Sequence, residues 1–234
     1  MDETKYKKIL TIVLIILVIA VILVVGFVAF DIYRKHYIDS EAEKFIGEYE
    51  NNIKNNGNNG DVIQSGINSG DDNSIDSANT VIPDLTPNNT NNGGSSSSTK
   101  RYTYKGYNVI GTIEIPKTNI KYPILERDSK GALEVAVAYA YGAQPNQIGN
   151  MTIAGHNYRN GAFFGKNKQL SNGDIVYITD NSGFKVKYTI YNIYRGTPEE
   201  SDFMTRDTNG KREISLITCT DDSQARLIIW AKED

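Results

Sequence analysis

The sequence predicts an all-β domain, a closed barrel or a sandwich of seven or eight short strands with one helix, confined to the C-terminal part of the chain. Short alternating apolar runs separated by turn residues predict it, because a period of two is the pattern of a half-buried strand. So does an abrupt change of composition near Arg101, after which most of the 15 tyrosines fall. A span of about 130 residues from there to the end is an ordinary size for one core.

Taken in order, the first apolar stretch is Ile9 to Phe30 (ILTIVLIILVIAVILVVGFVAF), which carries no charge. At 1.5 Å rise per residue it is long enough to cross a hydrocarbon layer of about 30 Å. A cleaved signal peptide has a shorter apolar region, about 7–15 residues, and a small-residue cleavage site. The stretch is therefore expected to be an uncleaved membrane anchor over residues 9–30, after a short tail of residues 1–8. Lys5, Lys7 and Lys8 precede it, against Arg34 and Lys35 after it, a slight excess that favours a cytoplasmic tail.

Residues 31–50 are charged and amphipathic, with Tyr33, Tyr37, Phe45 and Ile46, and predict a juxtamembrane helix that lifts the chain off the bilayer. Residues 51–100 turn to Asn, Gly, Ser and Asp, ending in NNTNNGGSSSSTK. Too few apolar side chains remain to offset the entropy of ordering, so this part is expected to be a disordered stalk. The triplet Asn88-Asn89-Thr90 fits a glycosylation acceptor, but in an Asn-rich tract chance explains it.

The part expected to fold occupies residues 101–234. Tyr107 to Ile115 alternates, Pro116 breaks it, and Ile120 to Leu125 is again extended. Ser129 to Ala140 is the one helical candidate, because Leu133, Val135, Ala136 and Val137 sit among good helix formers. Asn150 to Ala154 is a strand, and His156 follows it after Gly155. Gly161 to Leu170 reads as a loop or short helix, and Asp174–Thr179 pairs with Phe184–Tyr194 across the turn Asp180-Asn181-Ser182-Gly183. The last hairpin joins Glu213–Cys219 to Leu227–Lys232 through Asp221-Asp222-Ser223-Gln224.

That hairpin carries the chemistry. Cys219 is the only cysteine and sits at a strand end, while Arg226 opens the next strand, so thiol and guanidinium are expected on one rim. His156 is the only histidine in the folded part. A catalytic cysteine needs a neighbouring cation or base, because the thiolate is the reactive form. His156 can supply the acid/base, and Arg226 can donate hydrogen bonds to a developing oxyanion. Taken singly, each residue has a plainer reading: a small core hydrophobe, a satisfied polar group, a solvated edge charge. Asp221 and Asp222 read as turn formers. A net charge of -3 and a pI near 5.5 give no footprint for nucleic acid.

The pieces LITCT and ARLIIWAK, with the histidine in TIAGHN and the opening IGTIEIPKTNIKYPILE, resemble the sortases, membrane-anchored cysteine transpeptidases of Gram-positive bacteria. The likeness covers nearly all of residues 107–232, with Ser215 standing where the family pattern has a threonine. It implies a closed eight-stranded β-barrel with one or two short helices, nearer class A or D than class B. It also implies catalytic roles for Cys219, His156 and Arg226, and substrate contacts from Thr218, Ala154 and Asn157. The implied substrate is an LPxTG-like sorting signal on surface proteins, and the implied acceptor an amine of a peptidoglycan precursor or a pilin lysine. No metal or other cofactor is expected, and the specificity-setting groove wall is expected around Pro198–Lys211 and Ala138–Gln147. The rival readings are a cell-wall cysteine peptidase or L,D-transpeptidase, and a surface-displayed β-domain with an inert thiol.

Overall fold

The computed structural model describes residues 3–55, 64–65 and 101–234. Apart from residues 51–55 and 64–65, the expected stalk lies outside the described residues. Helix α1 runs unbroken over Glu3–Asn55. The strands are β1 (Gln64–Ser65), β2 (Tyr102–Tyr104), β3 (Tyr107–Ile115), β4 (Ile120–Leu125), β5 (Val137–Gly142), β6 (Gly149–Ala154), β7 (Ile175–Asp180), β8 (Lys185–Gly196), β9 (Arg212–Cys219) and β10 (Arg226–Glu233). Two short helices interrupt them, α2 (Lys130–Val135) and α3 (Asp202–Thr205).

The strands follow the order β1-β2-β3-β4-β5-β6-β9-β10-β8-β7, and β7 returns to pair with β3. β1 and β2 only extend the edge of β3, so the ring from β3 round to β7 is a closed eight-stranded barrel. Closure removes the exposed strand edges of an open sheet. The barrel is filled from alternate positions, among them Ile113, Ile115, Ile124, Ile153, Ile178, Ile214, Leu216 and Ile229, each fully buried.

The expected helix over Ser129–Ala140 is corrected. Ser129 caps α2 by accepting the Ala132 N–H at 3.2 Å, but the helix stops at Val135 and the rest becomes β5. Val137 pairs in parallel with Ile124 and Ala138 with Leu125, and both fit the buried sheet. Pairing of this kind outweighs a helix propensity worth only tenths of a kcal/mol per residue.

The apolar part of α1 is exposed, as a membrane anchor requires, and it passes without a break into a second half that lies against the barrel. Phe45, Ile46 and Tyr49 are at most 2% exposed and pack with Tyr102, Tyr104, Val109, Leu125 and the alanines of α2 and β5. Burying such side chains contributes about 1.5–3 kcal/mol each. Tyr49 also donates to the Asn181 side chain at 2.8 Å, and Lys121 pairs with Glu50 at 3.0 Å. Where the sequence predicts a spacer between bilayer and barrel, the helix is a docked element of the domain.

Candidate active site

Cys219 closes β9 and Arg226 opens β10, and the two are direct partners in the antiparallel pair. Directly opposed residues project from the same face of a sheet. Along β9 the inward positions are Ile214, Leu216 and Thr218; Ser215, Ile217 and Cys219 point out. On the other side β6 runs parallel to β9, with Ala154 level with Ile217. The Gly155 N–H still reaches the Ile217 carbonyl at 3.1 Å, so the next step along each strand leads to His156 and Cys219. Cys219 thus lies between the histidine strand and the arginine strand, at half-buried depth.

The local sequence explains the histidine's place. An added Cβ at Gly155 would stand 2.7 Å from the Phe164 ring and 3.0 Å from Val137, so only glycine lets the chain pass this close to the core. The loop then turns back on itself: Asn157 bridges to Phe163, and the Phe164 N–H donates to the His156 carbonyl at 3.0 Å. The His156 ring lies 5.3 Å from that of Tyr158, tilted by 48°.

Ala154, Ile217 and Ile228 continue the outward face below the nucleophile, with Tyr194 beside them on β8. The segment between β8 and β9, one of the two expected walls, closes over its lower part. Tyr194 donates to Glu200 at 2.8 Å, and Asn150 donates to the carbonyls of Phe203 and Met204 at 2.9 and 3.1 Å. Ser215 has its reason here: fully buried, its hydroxyl lies 3.0 Å from the Asn150 side-chain oxygen and 3.3 Å from the Phe203 carbonyl.

Of the other expected site residues, Thr218 faces the barrel interior, its hydroxyl buried without a protein partner. It lines a cleft of about 280 Å³ at the barrel mouth, with Asn157, Phe164, Lys168, Arg195, Cys219 and Leu227. Neither His156 nor Arg226 is among the cleft's lining residues. The Arg226 guanidinium donates to the carbonyl of its own neighbour Ala225 at 3.4 Å.

Sequence reasoning missed the clamp on the cysteine turn. Lys168 and Asn157 both donate to the Asp221 carboxylate, at 2.8 and 3.0 Å, and hold its pKa below the usual carboxylate value, the lysine bond more strongly. Asp222 is lowered likewise, first by the Thr220 hydroxyl, then by the Gln224 N–H, with Arg195 adding at 3.2 Å. Both residues make the turn, and their anions also tie it to β8 and to the histidine loop. Only the turn role is written in the local sequence. Among the described residues no group of three or more His, Cys, Asp or Glu side chains is placed to hold a metal.

Comparison with known proteins gives the same direction. Residues 113–234, slightly more than half the chain, match the family model of the sortase domain. Sortase A of Bacillus anthracis is 31% identical over 124 residues, covering 52% of this chain and 58% of the relative. Sortase A of Streptococcus agalactiae is 33% identical over 135 residues, covering 53% and 52%. The chain therefore spans about half the length of the curated relatives it matches. Among solved structures, sortase A from Corynebacterium diphtheriae aligns with a TM-score of 0.50 at 28% identity, over 55% of this chain and 61% of that one. A Clostridium perfringens sortase D5 transpeptidase aligns with the same score and identity, over 54% and 79%. The matched region runs from within β3 to the end of β10 and holds the cysteine, the histidine and the arginine in their register: the chain belongs to the sortase family.

Proposed function

We propose that this protein is a membrane-anchored cysteine transpeptidase that cleaves an LPxTG-like sorting signal and joins the new carboxyl end to an amine. The observation that carries the reading is the direct pairing of Cys219 with Arg226 beside the strand that leads into His156. The pairing puts thiol and guanidinium residues on one rim next to the histidine loop, which supports a reading in which nucleophile, acid/base and cation serve acyl transfer from a peptide bond.

In the first half-reaction the Cys219 sulfur adds to the carbonyl carbon of the fourth signal residue, the threonine. Arg226 donates hydrogen bonds to the resulting oxyanion. The C–N bond breaks, His156 gives its proton to the departing amine, and a thioester remains. In the second half-reaction an acceptor amine loses a proton to His156 and adds to the thioester, and the C–S bond breaks to regenerate the thiolate. The acceptor is an amine of a peptidoglycan precursor or a pilin lysine. Ala154 floors the groove beside the reacting carbon, and Thr218 and Asn157 bound the cysteine turn. The apolar half of α1 spans the membrane with residues 1–8 inside and the barrel outside.

An LPxTG-like peptide without amine tests the thioester. The intact wild-type protein should gain the mass of the first four residues on Cys219 and lose it slowly to water. Arg226→Ala should acylate about 100-fold or more slowly, the scale of losing an oxyanion donor. Equal acylation in Arg226→Ala would remove the arginine from the mechanism, and a mass adduct at any residue other than Cys219 would overturn the thioester.

A further inference from the structure

The loop that brings His156 to the site, residues 157–166, is held from outside by the anchor helix at successive turns. Asn160 donates to the Asp31 carboxylate at 3.2 Å, and Asp31 is the first residue after the apolar span. The Arg34 guanidinium carbon stands 5.4 Å from the centroid of the Tyr158 ring, whose own neighbour is the imidazole of His156. One turn further on, Asp39 accepts a hydrogen bond from the Tyr122 hydroxyl, which in turn accepts the Phe163 N–H at 3.3 Å. Lys35 pairs with the same Asp39. Burial, then the bond to Asp39, raises the Tyr122 pKa well above its ordinary value, so the phenol stays a donor throughout the working range.

The loop needs such holding. Phe163 is fully buried with φ at 50°, left-handed backbone that a bulky side chain keeps only when its surroundings over-determine it. Its ring sits between Tyr122, at 5.2 Å, and Tyr158, at 5.5 Å. Aromatic neighbours at these separations prefer tilted and edge arrangements, so each ring restricts the next. A continuous chain of tilted and edge-on ring contacts therefore leads from α1 to the imidazole: Arg34 on Tyr158, Tyr158 against His156, with Phe163 and Tyr122 behind.

We propose that residues 31–39 of the anchor helix belong to the active-site framework, and that Tyr158, braced by Arg34, is the positioning residue that sets the His156 ring. The proposal rests on His156 being the acid/base. A misplacement of about 1 Å in a catalytic group can cost about 100-fold in rate while leaving substrate contacts intact. The helix thus anchors the enzyme and completes it, and a barrel cut away from residues 31–54 is expected to be a slower catalyst.

The test uses the full chain in detergent micelles, with an LPxTG-like peptide and triglycine as probes, and iodoacetamide labelling of Cys219 at neutral pH as a substrate-independent readout. Arg34 is exposed, so Arg34→Gln leaves the fold intact; Tyr158→Leu removes the ring, Tyr158→Phe restores it, and His156→Ala is the reference. Arg34→Gln and Tyr158→Leu are expected to lower kcat roughly 10- to 100-fold with KM within about twofold. They should also move the labelling rate in the direction that His156→Ala moves it, and Tyr158→Phe should recover most of both. Wild-type kcat and labelling in Arg34→Gln and Tyr158→Leu, beside a large effect of His156→Ala, would overturn the positioning role and leave the histidine's role standing. If His156→Ala itself changed neither kcat nor labelling, the acid/base assignment would fail and the positioning role with it.

Discussion

At the scale of single residues, a side chain's face decides what it can do, and alternation along β9 assigns the faces. Cys219 and Arg226 look outward together, while Thr218, one residue away, turns its hydroxyl into the barrel. The pairing of cysteine and arginine was legible in the sequence because a short turn fixes which residues of a hairpin face each other. The approach of His156 was legible only through resemblance, since it depends on a parallel pairing between β6 and β9, strands far apart in the chain. Nor does any periodic signal announce Lys168 and Arg195 as partners of Asp221 and Asp222. The clamp has a pH signature. Asp221 has a folded pKa below its unfolded value, so its contribution is fully present above the unfolded pKa, about 3.9, and is lost only as pH falls through the lower folded value. Amide protection of residues 223–225, corrected for intrinsic exchange, is therefore expected to hold from pH 8 to pH 5 and to fall below about pH 4. Protection that stays unchanged as the pH falls through the carboxylate range would show that Asp221 does not hold the turn.

At the scale of elements, β9 is the spine of the site, and a buried polar network fixes its position. Arg206 pairs with Glu213, both about a tenth exposed, donates to Asn150 at 2.8 Å, and stacks over Trp230 with its guanidinium carbon 4.8 Å from the ring centroid. Tyr191 donates to the same Glu213 at 2.7 Å, and its own pKa is pushed up to about 12, by burial first and by that bond second. Removing one member of such a pair leaves a charge buried and uncompensated, which costs about 3–5 kcal/mol. Arg206→Ala is expected to lower the melting temperature by well over 10 °C for a domain of this size, and Arg206→Ala combined with Glu213→Gln by clearly less. A double variant destabilised by the sum of the two single variants, followed by calorimetry, would show that the pair carries no coupling. Strand periodicity gave β3, β4 and the last two hairpins nearly to the residue. It failed at Ser129–Ala140, where parallel pairing with β4 turns good helix formers into β5, and it was silent about Asp202–Thr205.

At the scale of the whole molecule, anchor and barrel form one connected unit. The amphipathic pattern after Phe30 was visible in the sequence, but which surface its Phe45, Ile46 and Tyr49 would cover was not, because the partners lie on β2, β4 and α2, across the long polar stretch. Since Asp31 touches Asn160, the histidine loop lies within one helical turn of the apolar span. With the apolar span in a bilayer, as proposed, the site lies close to the headgroups.

Acyl transfer through Cys219 can be read from its products. The full chain in micelles is incubated with LPxTG-like peptides, with and without triglycine, beside Cys219→Ala, and the products are read by mass spectrometry. Cleavage after the fourth residue and ligation of triglycine to the new carboxyl end are expected, both absent in Cys219→Ala. A ligation product formed equally well by Cys219→Ala, or cleavage whose rate and product ignore the added amine, would contradict acyl transfer through Cys219.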